Sequence, residues 1–237
     1  MRFGRVGRRI SSTPSFVIDQ LYIIPILLFS IIIHEMAHGW MALRLGDTTA
    51  LDAGRLTLNP IPHIDPIGSI IVPLIAMLSP GHFFIAWAKP VPVNPMNFSN
   101  YKRDDILVSV VGPLSNLLLA LACSIAFIIL NFLGGVMVTR QPVLADGFSF
   151  LMNMFGGGIT LNIVLAVFNM IPIPPLDGSH VLANYLPPHL REPYQRIGFF
   201  GIIIIILLMS LQPFNMIFQE IISVIRLPYE ILIRMFV

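Results

Sequence analysis

The hydrophobic and polar positions of this chain form long apolar stretches separated by short polar links. Residues 21–33, 117–130 and 201–208 are nearly free of charge. Stretches of this kind approach the ~20 residues that an α-helix needs to cross a bilayer. The pattern predicts an all-α polytopic membrane protein with about five to six membrane-embedded helices.

Proline, glycine and polar residues set the predicted helix ends. The helix predicted over about residues 148–171 should stop at Pro172-Ile173-Pro174-Pro175, because proline removes a backbone donor and clashes with the preceding turn. In the last apolar segment, polar residues recur every three or four positions, which predicts a helix that lies at the membrane interface or packs through this polar stripe. The predicted helices cover about residues 16–45, 105–133, 148–171, 197–211 and 215–234.

Two segments between the first two long helices have other patterns. The apolar run 67–88 is broken at Ser79-Pro80-Gly81, so each piece is short for a span and a re-entrant hairpin or a kinked span is predicted. Residues 51–58 alternate between apolar and polar side chains, which predicts a short β segment.

Composition narrows the class of protein. Of 237 residues, 56% are hydrophobic and only 11% are charged, which is too apolar for a soluble domain. We therefore predict one membrane-embedded domain over residues 1–237, with its core at about 15–186 and C-terminal helices at 197–237, in a multi-pass protein of the cell membrane. The net charge of +2, without a basic and aromatic cluster, argues against a nucleic-acid partner. Oligomeric state is left open.

The first long helix contains the sequence His34-Glu35-Met36-Ala37-His38, an HExxH pattern. A spacing of four residues puts both imidazoles on one helix face, where they can bind zinc. Catalytic zinc sites typically have three protein ligands and leave a fourth position for water. Glu35 would then lie near that water and could act as the general base. The alternative is a buried polar network that only holds helices together, although ionisable residues inside an apolar helix are costly without a function or partner.

A third ligand must come from another part of the chain. Asp177 follows the proline-rich end of a helix and precedes Gly178, and irregular backbone at membrane depth is tolerated only where it lines protein or water. Asp65, in Ile64-Asp65-Pro66, is the rival candidate, although its position before proline also fits an ordinary turn.

These motifs together resemble the site-2 protease family of intramembrane zinc metalloproteases. The resemblance covers about residues 15–186 and rests on HExxH, on Gly112-Pro113 followed by Asn116, and on the stretch from Asn169 to Gly178 that ends in Leu-Asp-Gly. The segment Gly54 to Pro60, with His63, Asp65, Pro66 and Gly68, is similar to compact bacterial and archaeal members. No internal stretch is long enough for the PDZ insertion of other members.

The resemblance implies a zinc metalloendopeptidase, with Zn²⁺ as cofactor, the lipid bilayer as its surroundings and a transmembrane protein as substrate. The implied roles are zinc ligands at His34, His38 and Asp177, the general base at Glu35, and positioning of substrate or oxyanion by Asn116 and Asn169. The alternative from another class is a polytopic metal-binding transporter, which predicts ligands distributed along a path.

Two further expectations follow from a shared zinc site. His34 lies near the far end of its predicted helix, and Asp177 follows a complete helix, so both helices should begin on the same side of the membrane. A substrate helix must also be unwound before cleavage, and its extended backbone then needs hydrogen-bond partners. We hypothesise that the segment 51–58 provides them by β-addition.

Overall fold

A computed structural model describes residues 22–65, 89–140, 142–198 and 200–237. Within these ranges the secondary structure is helical and no β-strand is present, which confirms the predicted all-α class. The α-helices in chain order are α1 (Ile23–Arg44), α2 (Thr49–Asp52), α3 (Tyr101–Arg140), α4 (Ala145–Asn169), α5 (Asp177–Ala183), α6 (Pro188–Gln195), α7 (Phe200–Ser210) and α8 (Gln212–Phe236).

Three of these helices are long and apolar enough to cross a membrane, namely α1, α4 and the Tyr101–Gly134 part of α3. A fourth span is present if the bent pair of α6 and α7 is counted as one. Helix α8 has 25 residues, but four of them are charged and it is not among the three. The described residues thus hold three or four candidate spans rather than five to six, and the hairpin predicted over 67–88 lies outside them.

Helices α1, α3 and α4 form the centre of the fold. Side-chain hydrogen bonds join His34 of α1 to Asn116 of α3, and Asn116 to Asn162 of α4. A second bond joins His38 of α1 to Val108, which lies earlier in α3. The later residue of α1 therefore meets the earlier residue of α3, so these helices are antiparallel. Helix α4 is also antiparallel to α3, because Gly158 lies beside Cys123 whereas the later Asn162 meets the earlier Asn116. Helices α1 and α4 therefore run in the same direction, as a shared zinc site requires.

Small residues let these helices approach closely. A Cβ atom at Gly158 of α4 would lie only 2.9 Å from Cγ1 of Ile26 and 3.0 Å from Sγ of Cys123. Within a membrane, helices associate through such close packing, because lipid is as apolar as the side chains. The surrounding buried core consists of Ile26, Ala120, Cys123, Ile159, Ile163, Ile171, Phe218 and Ile222.

The predicted strand over residues 51–58 is wrong. The alternating segment begins inside α2 and continues into a turn at Gly54, whose φ of +63° is incompatible with extended backbone in a strand. Leu51 and Leu58 are about half exposed, so the alternation does not separate a buried face from an exposed one. The β-addition hypothesis for this segment loses its basis, because no strand edge exists here.

Asp47 joins the end of α1 to the segment that leads into α3. Its fully buried carboxylate accepts hydrogen bonds from the backbone N–H and hydroxyl of Thr49, from the backbone N–H of Asn94 and from the side-chain amide of Asn97. Burial by itself would raise the pKa of Asp47, but these hydrogen bonds outweigh burial and lower the pKa below its ordinary value. The ionised carboxylate is therefore part of the folded structure.

Replacing Asp47 with Asn should lower the free energy of unfolding by about 1–3 kcal/mol. The NH₂ group of asparagine would replace a carboxylate oxygen, and it cannot accept hydrogen bonds from the donors that face it. Because the pKa of Asp47 is lower in the folded state than in the unfolded state, its ionised carboxylate stabilises the fold at pH values above the ordinary aspartate pKa of about 3.9. This contribution to the free energy of unfolding is lost as the pH falls further. The stability difference between wild type and variant should therefore shrink below about pH 4.

Thermal unfolding in detergent can be followed with a thiol-reactive fluorophore, because Cys123 is the single cysteine of the chain and is 3% exposed. Asp52→Asn is the matched control, since the exposed Asp52 carboxylate accepts one hydrogen bond from Thr48, the residue directly before the short helix α2. Equal stability of wild type and Asp47→Asn at neutral pH would contradict the assignment.

Candidate metal centre

Helix α1 presents His34 and His38 on the same face, one turn apart. Their rings meet edge to face with centroids 4.7 Å apart, and their Nε2 atoms are separated by 3.1 Å. Both histidines are buried, with 7% and 8% of their surface exposed. The i, i+4 spacing thus directs two imidazole nitrogens to one point.

Asp177 reaches this point because the chain is unwound between α4 and α5. Prolines 172, 174 and 175 prevent α4 from continuing, and α5 begins at Asp177. Gly178 packs directly on the end of α4, where an added Cβ would overlap the carbonyl oxygen of Met170. The Asp177 Oδ2 atom consequently lies 3.1 Å from Nε2 of His34 and 3.4 Å from Nε2 of His38. Among the described residues, these three side chains are the one group that could hold a metal ion.

The partners of the outer ring nitrogens show that both Nε2 atoms carry lone pairs. Nδ1 of His38 lies 2.7 Å from the carbonyl oxygen of Val108, which can only accept, so Nδ1 carries the proton. Nδ1 of His34 donates to Oδ1 of Asn116. In the neutral imidazoles both Nε2 atoms are therefore acceptors, and Oδ2 of Asp177 is buried without a hydrogen-bond donor. Three electron-rich atoms repel one another at these separations unless a cation lies between them.

The size of the group fits zinc. Zinc bonds to imidazole nitrogen and carboxylate oxygen are about 2.0–2.2 Å long, so two ligands of a tetrahedral site are separated by about 3.3 Å. The three observed separations are 3.1, 3.1 and 3.4 Å. Two histidines and one carboxylate also match the composition of catalytic zinc sites that leave a position for a water molecule.

Gly112 of α3 leaves space for the candidate ligands His34 and His38. A Cβ at this position would overlap Nε2 of His38 and lie 2.8 Å from Nε2 of His34. The backbone of α3 therefore passes directly beside the ligand atoms, and a residue with any side chain would occupy their position. The sequence motif Gly112-Pro113 marks this place, but its steric role emerges only in the fold.

Glu35 lies next to the first ligand and is held by a separate element. Its Oε2 atom accepts a hydrogen bond of 2.9 Å from the backbone N–H of Val91. The segment that contains Val91 is fixed in turn by Arg55, whose guanidinium donates to the carbonyl oxygens of Lys89 and Pro90. The hydrogen bond from Val91 thus gives the Glu35 carboxylate a defined position.

The remaining sequence candidates lie at different places. Asn116 contacts His34, whereas the amide of Asn169 donates to Leu165 within its own helix. His180 is half exposed and its Nδ1 is 3.8 Å from Oδ1 of Asp105, away from the ligands. Asp65, the rival candidate, does not belong to the group of described residues that could hold a metal ion.

Sequence reasoning missed Asn162, which is fully buried in α4 and bonded to Asn116. A usable signal was present, because an amide inside an apolar helix needs a partner. The transporter alternative predicted ligands along a path, but within the described ranges the candidates converge on a single point.

Comparison with known proteins agrees with this geometry. Residues 130–211, which include Asp177, match the model of peptidase family M50. The chain is 36% identical over 187 residues to the protein named "Putative zinc metalloprotease YwhC" of Bacillus subtilis. The matched region covers 79% of each of the two chains. It is also similar to proteins named "Putative zinc metalloprotease Rip2", with 28% identity in Mycolicibacterium smegmatis and 32% in Mycobacterium tuberculosis. These matches cover 82% and 71% of this chain and 69% and 57% of the relatives. No solved structure matches the chain.

Replacing Gly112 with Ala should lower zinc affinity by roughly 10-fold or more, because the new methyl group would displace the ligand atoms. Competition with a chromophoric chelator measures this affinity in the purified protein. Gly147→Ala is the matched control, since within the described residues a Cβ at that position would meet no atom within 4 Å apart from the adjoining stretch of its own helix, and its affinity should equal that of wild type. Normal zinc affinity in Gly112→Ala would contradict the location of the metal.

The two aspartate candidates can be separated by metal content. Asp177→Asn should lose or weaken zinc, because an amide is a poorer ligand than a carboxylate, whereas Asp65→Asn should retain it. Elemental analysis of both variants gives the number of zinc ions per chain. Zinc loss in Asp65→Asn, with retention in Asp177→Asn, would reverse the assignment.

Proposed function

Because this chain belongs to peptidase family M50, the site-2 protease family, we propose that it cleaves membrane proteins within or beside their transmembrane segments. The family and the three apolar helices make the chain a zinc metalloprotease and a membrane protein. The proposal adds that it is a multi-pass protein of the cell membrane, and that its helices form one catalytic domain. We assign His34, His38 and Asp177 as the zinc ligands and Glu35 as the general base.

The position of the ligands along α1 carries the intramembrane part of this proposal. His34 is the twelfth of 22 residues in α1, so it lies about 16 Å from the start of the helix and about 15 Å from the end. Leu28 and Phe29, on the preceding turns, are more than 40% exposed, as expected for side chains that face lipid. A peptide bond that reaches this site must therefore enter the apolar layer, which favours transmembrane segments as substrates.

Glu35 is suited to move the protons of hydrolysis. When bound, zinc would supply Lewis-acid catalysis, because it lowers the pKa of a coordinated water and polarises a carbonyl oxygen. Val91 N–H holds Oε2 of Glu35, and we assign proton transfer to Oε1. This oxygen would take a proton from the attacking water and later deliver it to the nitrogen of the leaving amine.

The two asparagines differ in their fit to a substrate-binding role. Asn116 is fully buried and both ends of its amide are engaged, by His34 and by Asn162. Contact of Asn116 with substrate would require this network to break, which favours a role in orienting His34. Asn169 is half-buried near the end of α4, and we retain it as the candidate that positions the substrate or the oxyanion.

Replacing Glu35 with Gln should reduce cleavage of a transmembrane test substrate by at least 10²- to 10⁴-fold, because the amide cannot carry the proton. The glutamine oxygen can still accept the hydrogen bond from Val91, and the zinc ligands are untouched. Zinc content should therefore remain that of wild type. A reconstituted proteolysis assay and elemental analysis of the same sample test both statements.

Glu192→Gln is the matched control for this substitution. Glu192 is exposed on α6 and pairs only across one helical turn with Arg196, so its loss should leave both cleavage and zinc unchanged. Near-normal turnover by Glu35→Gln would contradict its role as the general base. Loss of zinc from that variant would instead indicate that Glu35 belongs to the ligand set.

A further inference from the structure

A chain of buried hydrogen bonds crosses the three central helices and ends at the metal centre. Asn162 of α4 donates its amide N–H to the carbonyl oxygen of Gly158 at 2.9 Å. Its Oδ1 accepts from the amide N–H of Asn116 at 3.0 Å, and Oδ1 of Asn116 accepts from Nδ1 of His34. Asn116 and Asn162 are both completely buried.

The carbonyl of Gly158 fixes the direction of every hydrogen bond in this chain. A carbonyl oxygen only accepts, so Asn162 must present its NH₂ group to Gly158 and its oxygen to Asn116. Asn116 must then present its NH₂ group to Asn162 and its oxygen to His34. The proton of the neutral imidazole is thereby placed on Nδ1, and the lone pair on Nε2 is directed to the metal centre.

The opposite arrangement is disfavoured by the same geometry. With the proton of His34 on Nε2, the Asn116 amide would have to rotate to donate to Nδ1, and its oxygen would then face the oxygen of Asn162. A buried pair of acceptors without a donor is strongly unfavourable in an apolar surrounding. Protonated Nε2 could not bind metal. Without Asn162, the Asn116 amide could adopt either orientation.

The second histidine needs no such chain. Nδ1 of His38 lies directly against the carbonyl oxygen of Val108, at 2.7 Å, so one backbone group fixes its protonated nitrogen. Nδ1 of His34 instead contacts the side-chain amide of Asn116, which could rotate to exchange its oxygen and its NH₂ group. Among the described residues, the hydrogen bond to Asn162 is what prevents this rotation. Partners of this kind orient metal ligands and typically change metal affinity or activity by 10- to 100-fold.

We propose that Asn162 is a positioning residue of the metal centre, which sets the protonated nitrogen and the ring orientation of His34 through Asn116. This inference rests on the proposed function, because it takes His34 as a zinc ligand. Asn162 does not contact the metal or the substrate. Its effect should therefore appear first in metal affinity and in the geometry of the site.

The test compares Asn162→Ala with Asn162→Ser in the purified full chain. Both variants leave a similar space, but the serine hydroxyl can donate to Gly158 and accept from Asn116, directly or through a water. Such bonds to the carbonyl four residues earlier already occur at Ser109 and Ser124 in α3. Zinc affinity by chelator competition should fall roughly 10- to 100-fold in Asn162→Ala and recover most of that loss in Asn162→Ser. In the cobalt-substituted proteins, the visible absorption of tetrahedral Co²⁺ should weaken or shift in Asn162→Ala.

Ser124→Ala is the control for loss of a buried hydrogen bond without a link to the site, since Ser124 is completely buried and bonds to Ala120. Its zinc affinity should equal that of wild type. Unfolding of the zinc-free proteins, followed by labelling of Cys123, separates the metal effect from general destabilisation. Wild-type affinity in Asn162→Ala, or equal losses in the alanine and serine variants, would overturn the proposal.

Two measurements keep the tests of the inference and of the function apart. His34→Ala should abolish tight zinc binding; if it does not, the proposed metal site fails, whatever Asn162 does. If His34→Ala loses zinc and Asn162→Ala does not, only the present inference fails. Should Asn162→Ala not fold, ring ¹⁵N NMR of the zinc-free wild type remains decisive, because no metal then dictates which nitrogen is protonated: a protonated Nε2 on neutral His34 would overturn the proposal and a protonated Nδ1 would support it.

Discussion

The convergence of two imidazole nitrogens and one carboxylate oxygen is the interaction on which the rest of this structure depends. Nε2 of His34, Nε2 of His38 and Oδ2 of Asp177 lie within 3.1–3.4 Å of one another. All three are electron-rich when the outer ring nitrogens carry the protons, so their approach is favourable only with a cation between them. Among the described residues, these three side chains are thus arranged as a group that could hold a metal ion.

Several features of the backbone exist to permit this convergence. Helix α3 passes beside the ligands at Gly112, where no side chain fits. The prolines after α4 unwind the chain so that Asp177 can turn back toward α1, and Gly178 allows α5 to pack on the end of α4. Irregular backbone is tolerated at such a place because it is enclosed by protein. The irregular segment between α4 and α5 therefore lies directly beside the candidate metal site.

Polar side chains near the candidate metal site are held by hydrogen bonds inside an otherwise apolar fold. Every buried polar group there needs a partner, and at this site the partners also set direction. Oδ1 of Asn116 accepts a hydrogen bond from Nδ1 of His34, and the backbone N–H of Val91 donates a hydrogen bond to the carboxylate of Glu35. The candidate site combines potential ligands on α1 and α5 with hydrogen-bond partners on α3, α4 and the segment before α3. Removal of one support would change the chemistry of a residue on another helix.

The sequence by itself determined the helical class, and it predicted that His34, His38 and Asp177 form a metal site, because these inferences depend on composition, on the i, i+4 spacing and on proline chemistry within a few neighbouring residues. It also required that α1 and α4 run in the same direction. Tertiary structure decided what depends on distant contacts. The alternation at 51–58 became a helix and a turn, since Gly54 adopts a positive φ and no partner strand lies beside it in the described residues. Gly112 lies against His34 and His38 of another helix. The hydrogen bonds from Asn162 to Asn116 and from Asn116 to His34 connect residues that are 46 and 82 positions apart. Only the packing of three helices brings such residues into contact.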